Sequence, residues 1–238
     1  GNNMRQIASG VCGYEAARRC FPPGCDLVPV QPSLPTGTQH AWSSFVLPFI
    51  DEGRIAASID YTKPWNAPGG NDVATDQSIQ VYVCPSSVVA SVGKADYAGI
   101  SGAWIVSEYA PFHGPAGLSN GILFAIDDEH HPVRASGVSD GLGHTLLAAE
   151  AVDRGDAPSP ARDPDANGRW APVNCFAQSE PFINLKNSDI RSTHVGGCQA
   201  AFADGRTSFL DEQMDPGVLS ALCTRNGGEA VASHAGVR

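Results

Sequence analysis

Glycine and proline punctuate this chain too densely for a helical bundle. With 26 glycines and 18 prolines they make up 44 of 238 residues, well above the roughly 12% of average usage. A loop-rich globular protein built from short elements is the expected result. One early stretch escapes the pattern. From Asn2 to about Arg19, Met4, Ile7, Val11 and Tyr14 recur on one helical face, and no proline intervenes before Pro22-Pro23-Gly24. This predicts an amphipathic N-terminal helix.

Downstream, the segment from Trp42 to Ile50 is an apolar run compatible with helix or strand, and Ile79 to Pro85 alternates like a short strand stopped by proline. After Tyr97 the pattern is one of short strands. Ile122–Ile126 and Val133–Val138 flank the polar tip Asp127-Asp128-Glu129-His130-His131, which predicts a hairpin with a charged tip rather than a metal cluster, because adjacent strand residues point to opposite faces. A second hairpin, Cys198–Ala203 with Arg206–Leu210, turns through Asp204-Gly205, and Asp140-Gly141 predicts a further turn. Asp215 as N-cap and Pro216 at the first helical position open a short C-terminal helix, with Gly227-Gly228 as its expected stop. The expectation is one α+β domain over residues 1–238. It comprises the end of an N-terminal helix (1–20), a loop-rich middle (21–96), and an antiparallel sheet with a short C-terminal helix (97–238).

The formal net charge of −10 argues against a nucleic-acid partner, since phosphate binding rests on a basic footprint. No run reaches the roughly 18 apolar residues that a membrane helix needs. The seven cysteines are Cys12, Cys20, Cys25, Cys84, Cys175, Cys198 and Cys223. They are too few for a disulfide scaffold, and the odd count leaves at least one unpaired. A Cys20–Cys25 bridge would staple the Phe-Pro-Pro-Gly loop between them; the alternative is that both are small buried hydrophobes. No C-x2-C or paired Cys/His spacing signals zinc.

Several motifs occur in a fixed order: Asn2-Asn3-Met4-Arg5-Gln6-Ile7, Phe21-Pro22-Pro23-Gly24, the Trp42–Ile50 segment, Val83-Cys84-Pro85-Ser86, Asp96-Tyr97-Ala98-Gly99-Ile100-Ser101-Gly102 and Ser139-Asp140-Gly141-Leu142-Gly143-His144-Thr145. They are followed by His194 with Asp204-Gly205 in an H-x9-D-G pattern, then Thr224-Arg225-Asn226-Gly227-Gly228-Glu229. Together they resemble a large bacterial pseudopilin-like family of otherwise unknown function, similar to type II secretion pseudopilins. The chain departs from the family in carrying Gly1 where a cysteine is usual and Gly143-His144 in place of Ser-Asn. The resemblance implies a pilin-like fold, a long N-terminal helix packed on an antiparallel sheet. It also implies a prepilin-type leader and apolar helix ahead of residue 1, export to the periplasm, cell surface or outside, and pilin or pseudopilin subunits or secretion machinery as partners.

Asp163-Pro164-Asp165-Ala166-Asn167-Gly168 fits D-x-[DN]-x-[DN]-G, in which alternate oxygens converge on one hard cation. Asp163, Asp165 and Asn167 are therefore candidate calcium ligands, with Glu150, Asp153 or Asp156 available to close the site where Asn174 replaces the usual glutamate; the same residues also suit a solvated turn. The resemblance fits calcium too, since secreted pseudopilins often use an ion to hold a loop on the sheet. His194 and Asp204 lie about 30 Å apart on a straight strand, so the expectation is a turn at Asp204-Gly205 and a packing role for His194 at a strand entrance. Gly117-Leu118-Ser119-Asn120-Gly121 matches G-x-S-x-G but precedes a strand rather than joining strand to helix, and Gly99 to Ala103 is a near match with the same fault. Trp42, Trp65, Trp104 and Trp170 are read as core or interface residues.

The resulting reading is an exported structural or assembly protein. The alternatives are a secreted calcium-dependent hydrolase of esters or lactones, and a surface module binding saccharide or protein through exposed tryptophans.

Overall fold

A computed structural model describes residues 1–27, 37–88, 90–103, 120–126, 131–152, 168–172, 176–179, 183–184, 190–228 and 236–237. Helix α1 spans Asn2–Arg18, and its spacing works as the sequence predicts: Met4, Ile7 and Val11 are fully buried, with Ala8 and Gly10 beside them. It ends at Arg19, whose left-handed backbone (φ 63°) lets its N–H bond the Glu15 carbonyl at 2.7 Å. No helix among the described residues is long and apolar enough to cross a membrane.

The middle of the chain is more helical than expected. Strand β1 is only Cys25–Asp26, and the Trp42–Ile50 run is helical throughout, as α2 (Trp42–Val46) and a 3-10 turn over Leu47–Phe49. Pro48 sits in the first positions of that turn, where a missing N–H costs nothing. Helices α3 (Gly53–Ala56) and α4 (Asn71–Thr75) follow. The strand expected over Ile79–Pro85 is instead a 3-10 turn, Gln80–Tyr82. Its carbonyls are taken by side chain and loop rather than by a ladder: Asn3 Nδ2 donates to the Gln80 and Val83 carbonyls, and the Asp96 N–H donates to Tyr82 O. Ile79 and Tyr82, three apart, are the residues this turn buries.

The predicted 122–138 hairpin does not form. Ala125–Ile126 (β3) pairs in parallel with β1, and residues 135–137 form a 3-10 turn. The reason lies in the Phe21–Leu27 segment, whose N–H groups claim the available carbonyls: Phe21 bonds Val133 O, Gly24 bonds Phe124 O and Leu27 bonds Ile126 O, at 2.7 to 3.0 Å. Cys20 and Cys25, at the ends of that loop, are free thiols, so backbone hydrogen bonds rather than a disulfide hold it.

Among the described residues the main sheet has five strands, in the order β5-β2-β4-β6-β7. Strands β2 (Tyr97–Ala103), β4 (Leu146–Glu150), β6 (Gly197–Phe202) and β7 (Thr207–Asp211) are antiparallel neighbours. Strand β5 (Phe176–Ser179) departs from the expected antiparallel order by lying parallel to β2. The β6–β7 hairpin turns through Asp204-Gly205 as predicted, with Gly205 at φ 89°.

The sheet buries two apolar clusters. Tyr97, Ala148 and Ala201 pack with α1 and with Trp42, Tyr82 and Trp170. Ala98, Ile100, Ala149, Cys198, Ala200 and Phe202 pack with helix α5, Pro216–Cys223. Asp215 caps α5 by accepting from the N–H groups of Gly217 and Val218, but the helix stops at Cys223, before the expected Gly227-Gly228. Trp42, Trp65 and Trp170 are buried, which removes them from an exposed binding surface; Trp104 lies outside the described residues.

Candidate metal centre

Glu150 is the last residue of β4. Strand alternation turns it to the same side as Ala148, and only 1% of it is exposed. There its Oε2 accepts hydrogen bonds from Ser192 Oγ at 2.7 Å and from the Gln199 N–H at 2.8 Å. Segment 190–192 runs beside the end of β4, held by Arg191 N to Glu150 O and Val152 N to Arg191 O, both at 3.0 Å. This pairing carries the chain round so that His194 returns over the Glu150 carboxylate, its Nε2 3.2 Å from Oε1.

Cys84 arrives from the opposite direction, just after the Gln80–Tyr82 turn. Its N–H donates to Asp96 Oδ2 at 2.9 Å, and Asp96, fully buried, is neutralised by the buried Lys94 at 3.4 Å. Lys94 Nζ also donates to Ser87 Oγ at 2.5 Å, closing the turn after Cys84. The Cys84 Sγ then lies 3.7 Å from Glu150 Oε1 and 3.9 Å from His194 Nε2. Ser86 Oγ is 3.0 Å from the sulfur and accepts from, or donates to, Thr193 Oγ1 at 2.7 Å. Tyr97 packs beside the cluster, and burial, followed by the Cys84 and Glu150 groups, raises its phenol well above the usual range, so it stays protonated.

Among the described residues this is the one group of three metal-ligating side chains whose donor atoms all lie within 4.8 Å of one another. A sulfur, an imidazole nitrogen and a carboxylate oxygen face a common point. One ring nitrogen, Nε2, confronts both the sulfur and the carboxylate. A Cys-His-Glu relay would instead use opposite ring nitrogens, one towards the nucleophile and the other towards the orienting acid.

The sequence-predicted calcium ligands Asp163, Asp165 and Asn167 lie outside the described residues, as do Asp153, Asp156, Asn174, residues 127–130 and Ser119. Glu150, considered as a closing calcium ligand, has both oxygens engaged in the cluster above. His194 does stand at the entrance to β6, but as a member of this cluster rather than as packing alone, which corrects the expectation for it. Asp204 and Gly205 form the far turn and take no part: Asp204 Oδ1 accepts from the Arg206 N–H at 3.0 Å. Ser101, in the near match to G-x-S-x-G, is buried inside β2. The sequence did single out Cys84 and His194 through two separate motifs; what it lacked was any sign that residues 66 and 110 positions apart along the chain meet.

Comparison with known protein families matches residues 1–217 to the family described as "Protein of unknown function (DUF1559)". No curated protein matches the chain, and no solved structure does.

Proposed function

The chain belongs to the DUF1559 family of proteins of unknown function, and on that premise we propose that it is an exported, pseudopilin-like structural protein. In this reading it is a subunit or accessory of a type II secretion or type IV pilus-like assembly. The observation that carries the reading is α1, which lays its Met4, Ile7 and Val11 face on one side of an antiparallel sheet. That arrangement suits a pilin-like fold in which an upstream apolar extension of the same helix anchors and packs the subunit. The ordered motifs along the chain support it. Calcium held by Asp163, Asp165 and Asn167 belongs to the same proposal, on the D-x-[DN]-x-[DN]-G spacing.

The test is expression of the full-length coding sequence in a bacterial host with a type II secretion system, followed by fractionation. A leader removed by prepilin peptidase, and processed protein in the envelope or sheared surface fraction cross-linked to pilin-type subunits, is the expected result. Unprocessed protein in the cytosol overturns the reading. For the calcium part, Asp163→Asn with Asp165→Asn should weaken calcium binding by at least about tenfold in calorimetry, and unchanged binding would remove it.

A further inference from the structure

We propose that Cys84, Glu150 and His194 form a site for a zinc-class divalent transition metal, distinct from any calcium loop and independent of what the protein assembles with. The donor atoms form a triangle with sides of 3.2, 3.7 and 3.9 Å. The point equidistant from three such atoms lies about 2.1 Å from each, against about 2.0–2.3 Å for zinc bound to nitrogen, oxygen and sulfur. A cation therefore enters with side-chain movements of a few tenths of an ångström.

The donor set selects the metal. Calcium and magnesium take oxygen ligands, whereas a thiolate and an imidazole with one carboxylate favour zinc or cobalt. The charge balances as well. A divalent cation is neutralised by one thiolate and one carboxylate, and binding releases the Cys84 thiol proton to solvent. Three protein ligands leave a fourth position, which faces the exposed Ser86 and Thr193 and the His194 ring, 40% exposed. That side is the access route, and it admits a water or the Ser86 hydroxyl as fourth ligand.

The surroundings are built as a ligand shell is built. Ser192 and the Gln199 N–H fix the non-ligating oxygen of Glu150, and Asp96 fixes the backbone of Cys84. A bound metal would join three segments remote in sequence: the turn after Tyr82, the end of β4 and the loop into β6.

The test is titration of the metal-free chain, under reducing conditions, with Co2+ and then Zn2+. The expected result is one cobalt ion per chain, with the d–d bands of tetrahedral coordination and a thiolate-to-cobalt charge-transfer band, all displaced by Zn2+. Cys84→Ser should abolish the charge-transfer band. Cys84→Ser and His194→Asn should each weaken binding by more than about 100-fold, and Ser192→Ala, which touches only the orienting shell, by about tenfold. Because the chain has other cysteines, a variant with Cys12, Cys20, Cys25 and Cys175 changed to serine must keep the band; it also serves if Cys84→Ser fails to fold. Absence of a charge-transfer band in the natural chain, or a band that survives in folded Cys84→Ser, overturns the proposal.

Discussion

Strand β6 is closed at its two ends in different ways. Beyond Phe202 the chain turns back through Asp204-Gly205 into β7, and the turn's own shape comes from within a few residues: the Asp204 carboxylate on the Arg206 N–H, Gly205 at φ 89°, and the Arg206 guanidinium over the Phe202 ring at 3.5 Å. The 142–145 segment adds backbone acceptors beside it, Thr145 O for the Ala203 N–H, Leu142 O for the Asp204 N–H and Gly143 O for the Arg206 guanidinium. Before Gly197 the strand is fixed by groups from far away, with Glu150 of β4 accepting the Gln199 N–H and reaching His194 and Cys84. A turn is local chemistry, whereas this cluster exists only once the sheet and the 84–87 turn have assembled. The two ends should therefore answer differently to mutation.

The largest effect is expected at Gly197. Its φ is 154°, and a Cβ there would lie 1.9 Å from the Leu210 carbonyl oxygen of β7, so the backbone of one strand must move. Gly197→Ala should cost about 4 kcal/mol in urea unfolding. A cost below about 1 kcal/mol would mean that this end of the hairpin yields easily, and would erase the contrast.

Glu150→Ala comes next. It leaves the Gln199 N–H and Ser192 without their acceptor at the buried position of the glutamate and deprives His194 of its carboxylate, and should cost about 3 kcal/mol. The same measurement on Asp204→Ala, an exposed residue whose carboxylate meets the N–H and, at 3.7 Å, the guanidinium of nearby Arg206, should show less than about 1 kcal/mol. Equal costs would break the comparison between the ends.

Acid would blur that comparison unless His40 is controlled. Its ring is fully buried, Nε2 donates to Lys63 O at 3.0 Å, and among the described residues Nδ1 has no acceptor for a second proton. Burial, opposed more weakly by the Lys63 carbonyl and Asp60, lowers its pKa from 6.5 to about 4. On acidification the unfolded chain takes the proton first. Stability should be flat above about pH 6.5, fall between 6.5 and 4, and level off below, by up to about 3 kcal/mol from this one group. His40→Asn should flatten that limb in pH-dependent urea unfolding; an unchanged limb would assign the acid loss elsewhere.

What was legible in the sequence divides along the same line. Helix α1, the Asp204-Gly205 turn and the Asp215–Pro216 start of α5 were readable because spacing, turn chemistry and capping act within a few residues. The Ile79–Cys84 segment misled because alternating apolar residues suit a strand only when a neighbour supplies a ladder, and here the Asn3 side chain takes two of its carbonyls instead. Residues 122–138 misled for a related reason: β3 found its partner in β1, about 100 residues upstream. The Cys84–Glu150–His194 cluster was illegible as a site because zinc signatures in sequence rest on short spacings, and this one is assembled by the sheet.

The smallest expected effect lies at Gly205 and tests how confined the local end is. A Cβ there would come 3.2 Å from Cys12 Sγ on α1, a contact that a small sulfur shift relieves, so the main cost of Gly205→Ala is its left-handed backbone, about 1 kcal/mol. Asparagine tolerates that region better, and Gly205→Asn should cost less than the alanine change. Neither substitution touches Glu150, His194 or Cys84, so both should leave cobalt affinity unchanged within about twofold, well inside the 10–100-fold that loss of an orienting partner costs. A cobalt affinity that fell with Gly205→Ala would show that strain at the turn travels the length of β6, joining the two ends of the H-x9-D-G segment in a way their separate contacts do not.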